Sequence, residues 1–369
     1  ICSPRAGELD HLARDAWRCM PGEEATIASF IGSVPAGTEP ADDNFVQQVA
    51  SALQKAKKPL VLCSVLHQDS ALVEAAANLA KTATAYNSRA CRLAYFFPAV
   101  NSVGVGLLRN DESPDSIWAD IEGGRIKALV VSERDLSLND PTGEIQRRIS
   151  GVEFLLVIDY LETATTMAAH AVLPSVSHYQ AFGTLVNYEG RAQAFDGMHF
   201  ASDINLAASE IITMLIQETG VEDQIGGTDF QDIFDVTRES SLHMDRLRVG
   251  DNGCVIRSSP KLPPPSKDNG QGTLEGQLRL WKVYHTFGSD ELSSLSAGVS
   301  ERAPLPYVEL HPEDAQERGL AEGQFLDLTA ELGVSGTVKL SEKLSRGLAA
   351  VPVLVNVRAV VDSNPEVTR

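Results

Sequence analysis

Residues 170–195 read HAVLPSVSHYQAFGTLVNYEGRAQAF, and this is the stretch whose residue types could do chemistry. Gly183-Thr184, Asn187, Glu189-Gly190-Arg191 and Gln193 follow Pro174 in close succession. A polar loop of this composition at a cleft would use backbone and amide donors to hold a heterocycle or an anionic group. The same residues also suit a surface Ω-loop in which Glu189 and Arg191 are merely solvated. Composition alone leaves both readings open.

Other reactive constellations are missing. There is no Walker loop and no H-E-x-x-H, and Gly104-Val105-Gly106 lacks the third glycine of a dinucleotide fingerprint. No G-x-S-x-G elbow occurs, and the eight histidines show no i, i+4 pairing. His178 and His285 stand singly, as packed or solvated histidines do. The five cysteines, Cys2, Cys19, Cys63, Cys91 and Cys254, form no C-x-x-C pair, so neither a metal nor a redox pair is expected from spacing. An odd, sparse set fits a reducing compartment better than a disulfide framework. No catalytic residue and no metal ligand is therefore assigned.

Charge narrows the partners. Lys plus Arg total 31 and Asp plus Glu total 50, a formal charge of −19. A surface this acidic repels phosphate backbones and anionic lipid, so nucleic acid and membrane surfaces are excluded as main partners. Hydrophobic residues at 43% are too many for a disordered chain. The longest apolar runs, such as 348–357, fall short of the roughly 18–20 residues that span a bilayer, so no membrane insertion is expected. The chain opens at Ile1 with no signal-like segment, as a piece of a longer polypeptide would.

The elements that must position the polar stretch read as follows. Residues 43–57 carry apolar positions at helical spacing, with Asp42 or Asp43 as cap and Pro59 as stop. Residues 60–62, 126–131 and 154–158 read as strands, and 71–81 and 142–149 as helices. Strands apolar on both faces, separated by helices, predict an α/β fold with a parallel sheet covered on both sides. Ligands of such sheets bind beyond the carboxyl ends of the strands, here Cys63-Ser64, Ser132-Glu133-Arg134-Asp135 and Asp159. Residues 219–275, with Pro263-Pro264-Pro265, read as a linker or surface excursion. Beyond them come short alternating strands with glycine turns and a helix opened by His311-Pro312, the pattern of a small β-barrel. The division is 1–218, an α/β domain; 219–275; and 276–369, a β-barrel domain.

The polar stretch resembles a signature of the molybdopterin oxidoreductase superfamily. Its members carry Ala-Asp-Val-Val-Leu-Pro, then Glu, Gly-Thr, Asn and Glu-Gly-Arg-x-Gln. The matching residues here are Ala169 to Pro174, then Gln180, Gly183-Thr184, Asn187 and Glu189-Gly190-Arg191-Ala192-Gln193. Pro21-Gly22-Glu23-Glu24-Ala25, the runs 125–131 and 154–159, and His311-Pro312-x-Asp314-Ala315 are similar to other family elements, in the family's order. Asn187 to Gln193 with Phe195, and 287–293 before Ser296, are similar to one branch, the large iron–sulfur subunits of respiratory complex I, which include the 75-kDa subunit of mitochondria and its bacterial counterpart. Their N-terminal part binds the iron–sulfur clusters; their C-terminal part keeps the molybdoenzyme fold, and it is the latter that this chain resembles. The departures are His170 for Asp, Gln180 for Glu, and an acidic Ser132-Glu133-Arg134-Asp135 loop in which Arg134 alone offsets negative charge.

The resemblance implies a Rossmann-like layered domain followed by a double-psi-like barrel. It implies an architectural part of an NADH:quinone oxidoreductase, without redox centres in this chain and without turnover alone. Clusters would lie in an N-terminal module and other peripheral-arm subunits would be partners, at the cytoplasmic side, peripheral to the inner membrane. In this reading Asn187, Glu189 and Arg191 fix their loop by mutual hydrogen bonds. The alternative is a fragment of a molybdoenzyme similar to formate dehydrogenase. There Gly183, Thr184, Asn187, Arg191 and Gln193 would line a molybdopterin guanine dinucleotide, with Ser132, Arg134 and Asp159 at its nucleotide half.

Overall fold

The structure, a computed structural model, describes residues 1–42, 44–66, 69–86, 90–108, 114–138, 143–198, 206–218, 254–255, 278–328 and 334–355. It divides into two compact units, one made of Ile1–Phe96 with Lys261–Arg369 and the other of Phe97–Pro260.

The first unit opens with the parallel pair β1 (Cys2–Ser3) and β2 (Trp17–Arg18). Helices α1 (Glu23–Ser33) and α2 (Phe45–Lys55) lead to β3 (Leu60–Ser64), α3 (Ser70–Tyr86) and β4 (Arg92–Phe96), and β3 pairs with β4 in parallel. The cap of α2 is Asn44, whose side chain accepts from the Gln47 amide at 3.0 Å; it stands one or two places later than the expected aspartates, and Asp43 lies outside the described residues. Helix α3 buries Ala75, Ala76, Ala80 and Ala83, small side chains that allow close approach of its neighbours.

In the second unit α4 (Ser102–Leu108) and α5 (Pro114–Glu122) precede β5 (Ala128–Ser132), α6 (Glu144–Ile149), β6 (Phe154–Asp159), α7 (Ala164–Met167) and β7 (Ala171–Pro174). Strands β5, β6 and β7 form a parallel sheet in that order. Strands β8 (Gly183–Val186) and β9 (Arg191–Phe195) make an antiparallel hairpin; α8 (Ala208–Glu218) follows, and β10 (Cys254–Val255) adds to β9. Ile121, Val131, Ile149, Val152, Leu155 and Val157 make the core, with Trp118 and Leu129 packed against it.

The mixed α/β class and the parallel pairing agree with the sequence. The sheet does not match the expectation of one layer covered on both faces. The described strands form separate parallel sheets of two and three strands. In each, alternate residues reach water: Leu62 is 57% exposed beside buried Cys63, and Val130 is 56% exposed beside buried Val131. An unbroken apolar run reads as buried on both faces, but here one face of β3 and of β5 lies open.

The first unit resumes with β11 (Arg279–Val283), β12 (Tyr307–Leu310), the short helix Pro312–Glu317, β13 (Phe325–Leu328), β14 (Val334–Leu340) and β15 (Leu348–Pro352). The sheet order is β11-β15-β12-β14-β13, with parallel and antiparallel neighbours mixed. Val308, Leu310, Ala315, Val338, Ala349 and Val351 form its core. The expected barrel is not closed among the described residues: β11 and β13 are edges, and Phe325 on β13 is exposed.

The linear division at 218 and 275 also differs from the observed grouping. The first residues are stitched to the last sheet: Ala6 donates to the Lys343 carbonyl, Ser345 donates to the Pro4 carbonyl, and Arg5 pairs with Glu309. Backbone pairing at this range leaves no pattern in local sequence. The expected linker and its triproline lie outside the described residues, apart from Cys254 and Val255 in β10.

Candidate functional site

Two sets of residues singled out by sequence are assembled in the second unit. The first set lies at the carboxyl ends of β5 and β6. Glu133 follows β5 with φ 49°, a left-handed backbone that is unusual for a residue with a Cβ. Its amide donates to the Ile158 carbonyl at 2.7 Å, and its carboxylate accepts from the buried Ser175 hydroxyl at 3.0 Å. Asp135 accepts from the Thr165 hydroxyl at 2.7 Å and from the Ser137 amide at 3.0 Å. The same Thr165 hydroxyl accepts from the Leu136 amide at 2.9 Å, which locks the loop after β5 to α7. Asp159 is buried at the end of β6 and accepts from the Leu161 amide at 3.0 Å.

These carboxylates repel one another's charge. Burial pushes the Asp159 carboxyl above its ordinary value, and Asp135 adds to the effect. Burial likewise raises Glu133, against the Ser175 hydrogen bond and with Asp159 contributing. Ser132 and Arg134 are exposed.

The second set is the β8–β9 hairpin. Gly183 sits opposite Phe195, and a Cβ there would come within 3.2 Å of that ring. Asn187 turns the chain: its side-chain oxygen accepts from the amides of Glu189 at 2.9 Å and Arg191 at 3.0 Å, an Asx-turn closed by Gly190 at φ 73°. Arg191 Nε lies 3.5 Å from the Glu189 carboxylate. Gln193 is exposed, and the buried Thr184 hydroxyl is without a hydrogen-bond partner among the described residues. The Val186 amide donates to Asn101 just before α4, at 2.8 Å. The stretch is therefore a hairpin with a polar turn rather than an Ω-loop.

The donor set does not fit a phosphate-bearing dinucleotide. The strand end offers three carboxylates, and its backbone amides at Glu133 and Leu161 are already engaged. Arg134 is the one cation in the loop. Asp159, the residue suited to a guanine edge, spends an oxygen on its own turn.

Several positioning residues were not visible in sequence. Ser175 and Thr165 hold the acidic loop, and Asn101 holds the hairpin. His170 accepts the Leu155 amide on Nδ1 at 3.0 Å while its own amide donates to the Leu155 carbonyl at 2.9 Å. It thus lengthens the β6–β7 ladder with a side chain. Ser175 beside Pro174 and His170 within the polar stretch carry a local signal; Thr165 and Asn101 carry none.

No family model matches the chain. Curated relatives do: the NADH-quinone oxidoreductase G subunit of Pseudomonas putida KT2440 is 25% identical, covering 95% of this chain and 50% of the relative. The Salmonella typhimurium LT2 protein of the same name is 24% identical over 93% of this chain and 49% of its own length. The Escherichia coli K12 protein is 23% identical with the same two coverages. Over most of its length the chain is similar to the NADH-quinone oxidoreductase G subunit.

The chain spans about half the length of the curated proteins it matches, and the match is to their C-terminal part. Among solved structures, acetylene hydratase from Pelobacter acetylenicus shares 16% identity at a TM-score of 0.47, covering 65% of this chain and 39% of that one. Among the described residues of the chain, no helix is long and apolar enough to cross a membrane.

Proposed function

We propose that the chain is an architectural part of the large peripheral-arm subunit of an NADH:quinone oxidoreductase, respiratory complex I, and carries no redox centre of its own. The similarity to the G subunit over 95% of the chain is the observation that carries this reading. The inherited scaffold would be the molybdopterin oxidoreductase one, Rossmann-like in the α/β part and barrel-like in the C-terminal sheet. The iron–sulfur clusters would belong to a cysteine-bearing N-terminal module. Partners would be other peripheral-arm subunits, at the cytoplasmic face of the inner membrane, with neither nucleic acid contact nor membrane insertion. Alone, the chain would turn nothing over.

The acidic strand end supports the loss of a pterin. A dinucleotide placed there would face Glu133, Asp135 and Asp159, and like charges at close range are unfavourable without compensation. The hairpin supports the same reading, because Asn187 and Glu189 are used in holding their own turn. The test is oxidative extraction of the purified protein followed by pterin fluorescence and metal analysis. The expected result is neither pterin nor molybdenum or tungsten at stoichiometric level. One pterin per chain would favour the molybdoenzyme alternative, with Thr184, whose buried hydroxyl lacks a partner among the described residues, as its first candidate contact. The complex I assignment is tested separately, by tagging the chain in its native host: co-purification of NADH-oxidising activity supports it, and recovery of the chain without that activity opposes it.

A further inference from the structure

The sequence contains no closely spaced cysteine pair, but the fold makes one. Strands β1 and β2 run parallel with Cys2 opposite Trp17 and Ser3 opposite Arg18, and this places Cys2 and Cys19 on the same side. Their Sγ atoms stand 3.4 Å apart, and both are free thiols.

The surroundings hold this approach in place. The Cys19 carbonyl accepts from the Ser345 hydroxyl at 3.0 Å, and the Ser345 amide donates to the Pro4 carbonyl at 2.9 Å. The Trp17 amide donates to the Ile1 carbonyl at 2.8 Å. Arg18 donates to the Ser3 hydroxyl at 2.9 Å and pairs with Asp10. Ser345 thus ties both strands from outside the pair, and the two sulfurs are already in contact, an approach that the bond of about 2.0 Å requires.

We propose that Cys2 and Cys19 form a reversible dithiol–disulfide site, oxidised by a peroxide, with Cys2 as the attacking and Cys19 as the resolving thiol. The asymmetry between them assigns the roles. Cys2 is partly open to solvent, whereas Cys19 is 3% exposed. The hydrogen bond from Cys19 holds the Cys2 thiol below its ordinary value, and Arg18 adds to this; the same bond, together with burial, pushes Cys19 up. The Cys2 thiolate attacks one oxygen of hydrogen peroxide, the O–O bond breaks, and the hydroxide released takes up a proton to become water. Cys2 is then a sulfenic acid. Cys19 sulfur attacks Cys2 sulfur, the S–O bond breaks, and the departing hydroxide takes the Cys19 proton. Two thiols lose two electrons in all, and one peroxide becomes two waters. Thiols that pair in a reducing compartment do so transiently, in catalysis or redox sensing.

The experiment treats the purified full-length protein with a small excess of hydrogen peroxide, alkylates the remaining thiols, and maps a non-reducing digest by mass spectrometry. The expected result is one peptide pair joining Cys2 to Cys19, lost on treatment with dithiothreitol, while Cys63 remains alkylated. Cys63 is a suitable control because burial pushes its thiol up to about 11. Finding Cys2 and Cys19 each singly alkylated, or Cys2 carried on to the sulfinic acid without the cross-link, would overturn the proposal. In Cys19→Ser, a dimedone adduct on Cys2 is expected to accumulate where the parent shows none. Should that variant not fold, the parent map decides alone.

Discussion

Arg5 closes on Glu309 with Nε at 3.2 and 3.0 Å from the two carboxylate oxygens and a terminal nitrogen at 3.0 Å, across 304 residues of sequence. Glu309 lies on the central strand β12 and is 6% exposed. Losing one member of such a pair leaves a desolvated charge alone. Arg5→Ala is expected to cost about 3–5 kcal/mol in the unit that contains it, whereas replacing both residues by well-packed apolar ones should come close to neutral. Urea unfolding of the two variants checks this; equal losses would contradict it.

The ring of His170 gives a second prediction. The Leu155 amide it accepts is fully buried. His170→Ala is expected to cost about 1–3 kcal/mol, the range for a stranded buried donor, and His170→Asn should recover part of that through its amide oxygen. Hydrogen exchange at the Leu155 amide, faster in the alanine variant alone, is the specific readout.

Gly197 has no room for a methyl group. A Cβ there would lie 2.2 Å from the Gln180 carbonyl oxygen and 2.6 Å from that of Ala181, both backbone atoms. Gly197→Ala is expected to destabilise by about 1–3 kcal/mol and to open the Met198 to Tyr179 hydrogen bond at the foot of the hairpin. Thermal unfolding with amide exchange at Met198 tests it.

The acidic strand end predicts a pH dependence. Glu133 and Asp159 hold their protons more tightly in the folded chain than in the unfolded one. Their favourable contribution is complete below the unfolded values, about pH 4, and is lost as pH rises through the raised folded values. Asp159→Asn keeps an acceptor for Leu161 and removes the ionisation. It should be more stable than the parent at pH 7, with the advantage shrinking toward pH 4. Melting curves at the two pH values decide the matter, and an advantage that does not change with pH would count against it.

Much of the local structure was legible. Leu60 and Phe154 open strands where apolar runs announce them, β5 opens at Ala128 rather than at Ile126, and Pro312 opens its helix. The polar stretch was visible, but its shape was not: Asn187 reads equally well as a ligand donor or as an Asx-turn until its two amide partners are seen. Exposure was misread for Leu62 and Val130, because an apolar residue in a strand does not declare which face is covered. The Cys2–Cys19 approach and the Arg5–Glu309 pair were out of reach, since side chains that meet through strand pairing or distant contacts share no local period.

The stitching of residues 1–6 to the last sheet has a consequence for biosynthesis. A ribosome releases Arg5 long before it makes Glu309, a separation of 304 residues. At roughly 5–20 residues per second that is a wait of about 15–60 s. The second unit lies wholly inside the interval and can mature during elongation. The first cannot finish until β15 emerges, so a nascent or prematurely terminated chain presents an unfinished surface for chaperones to guard.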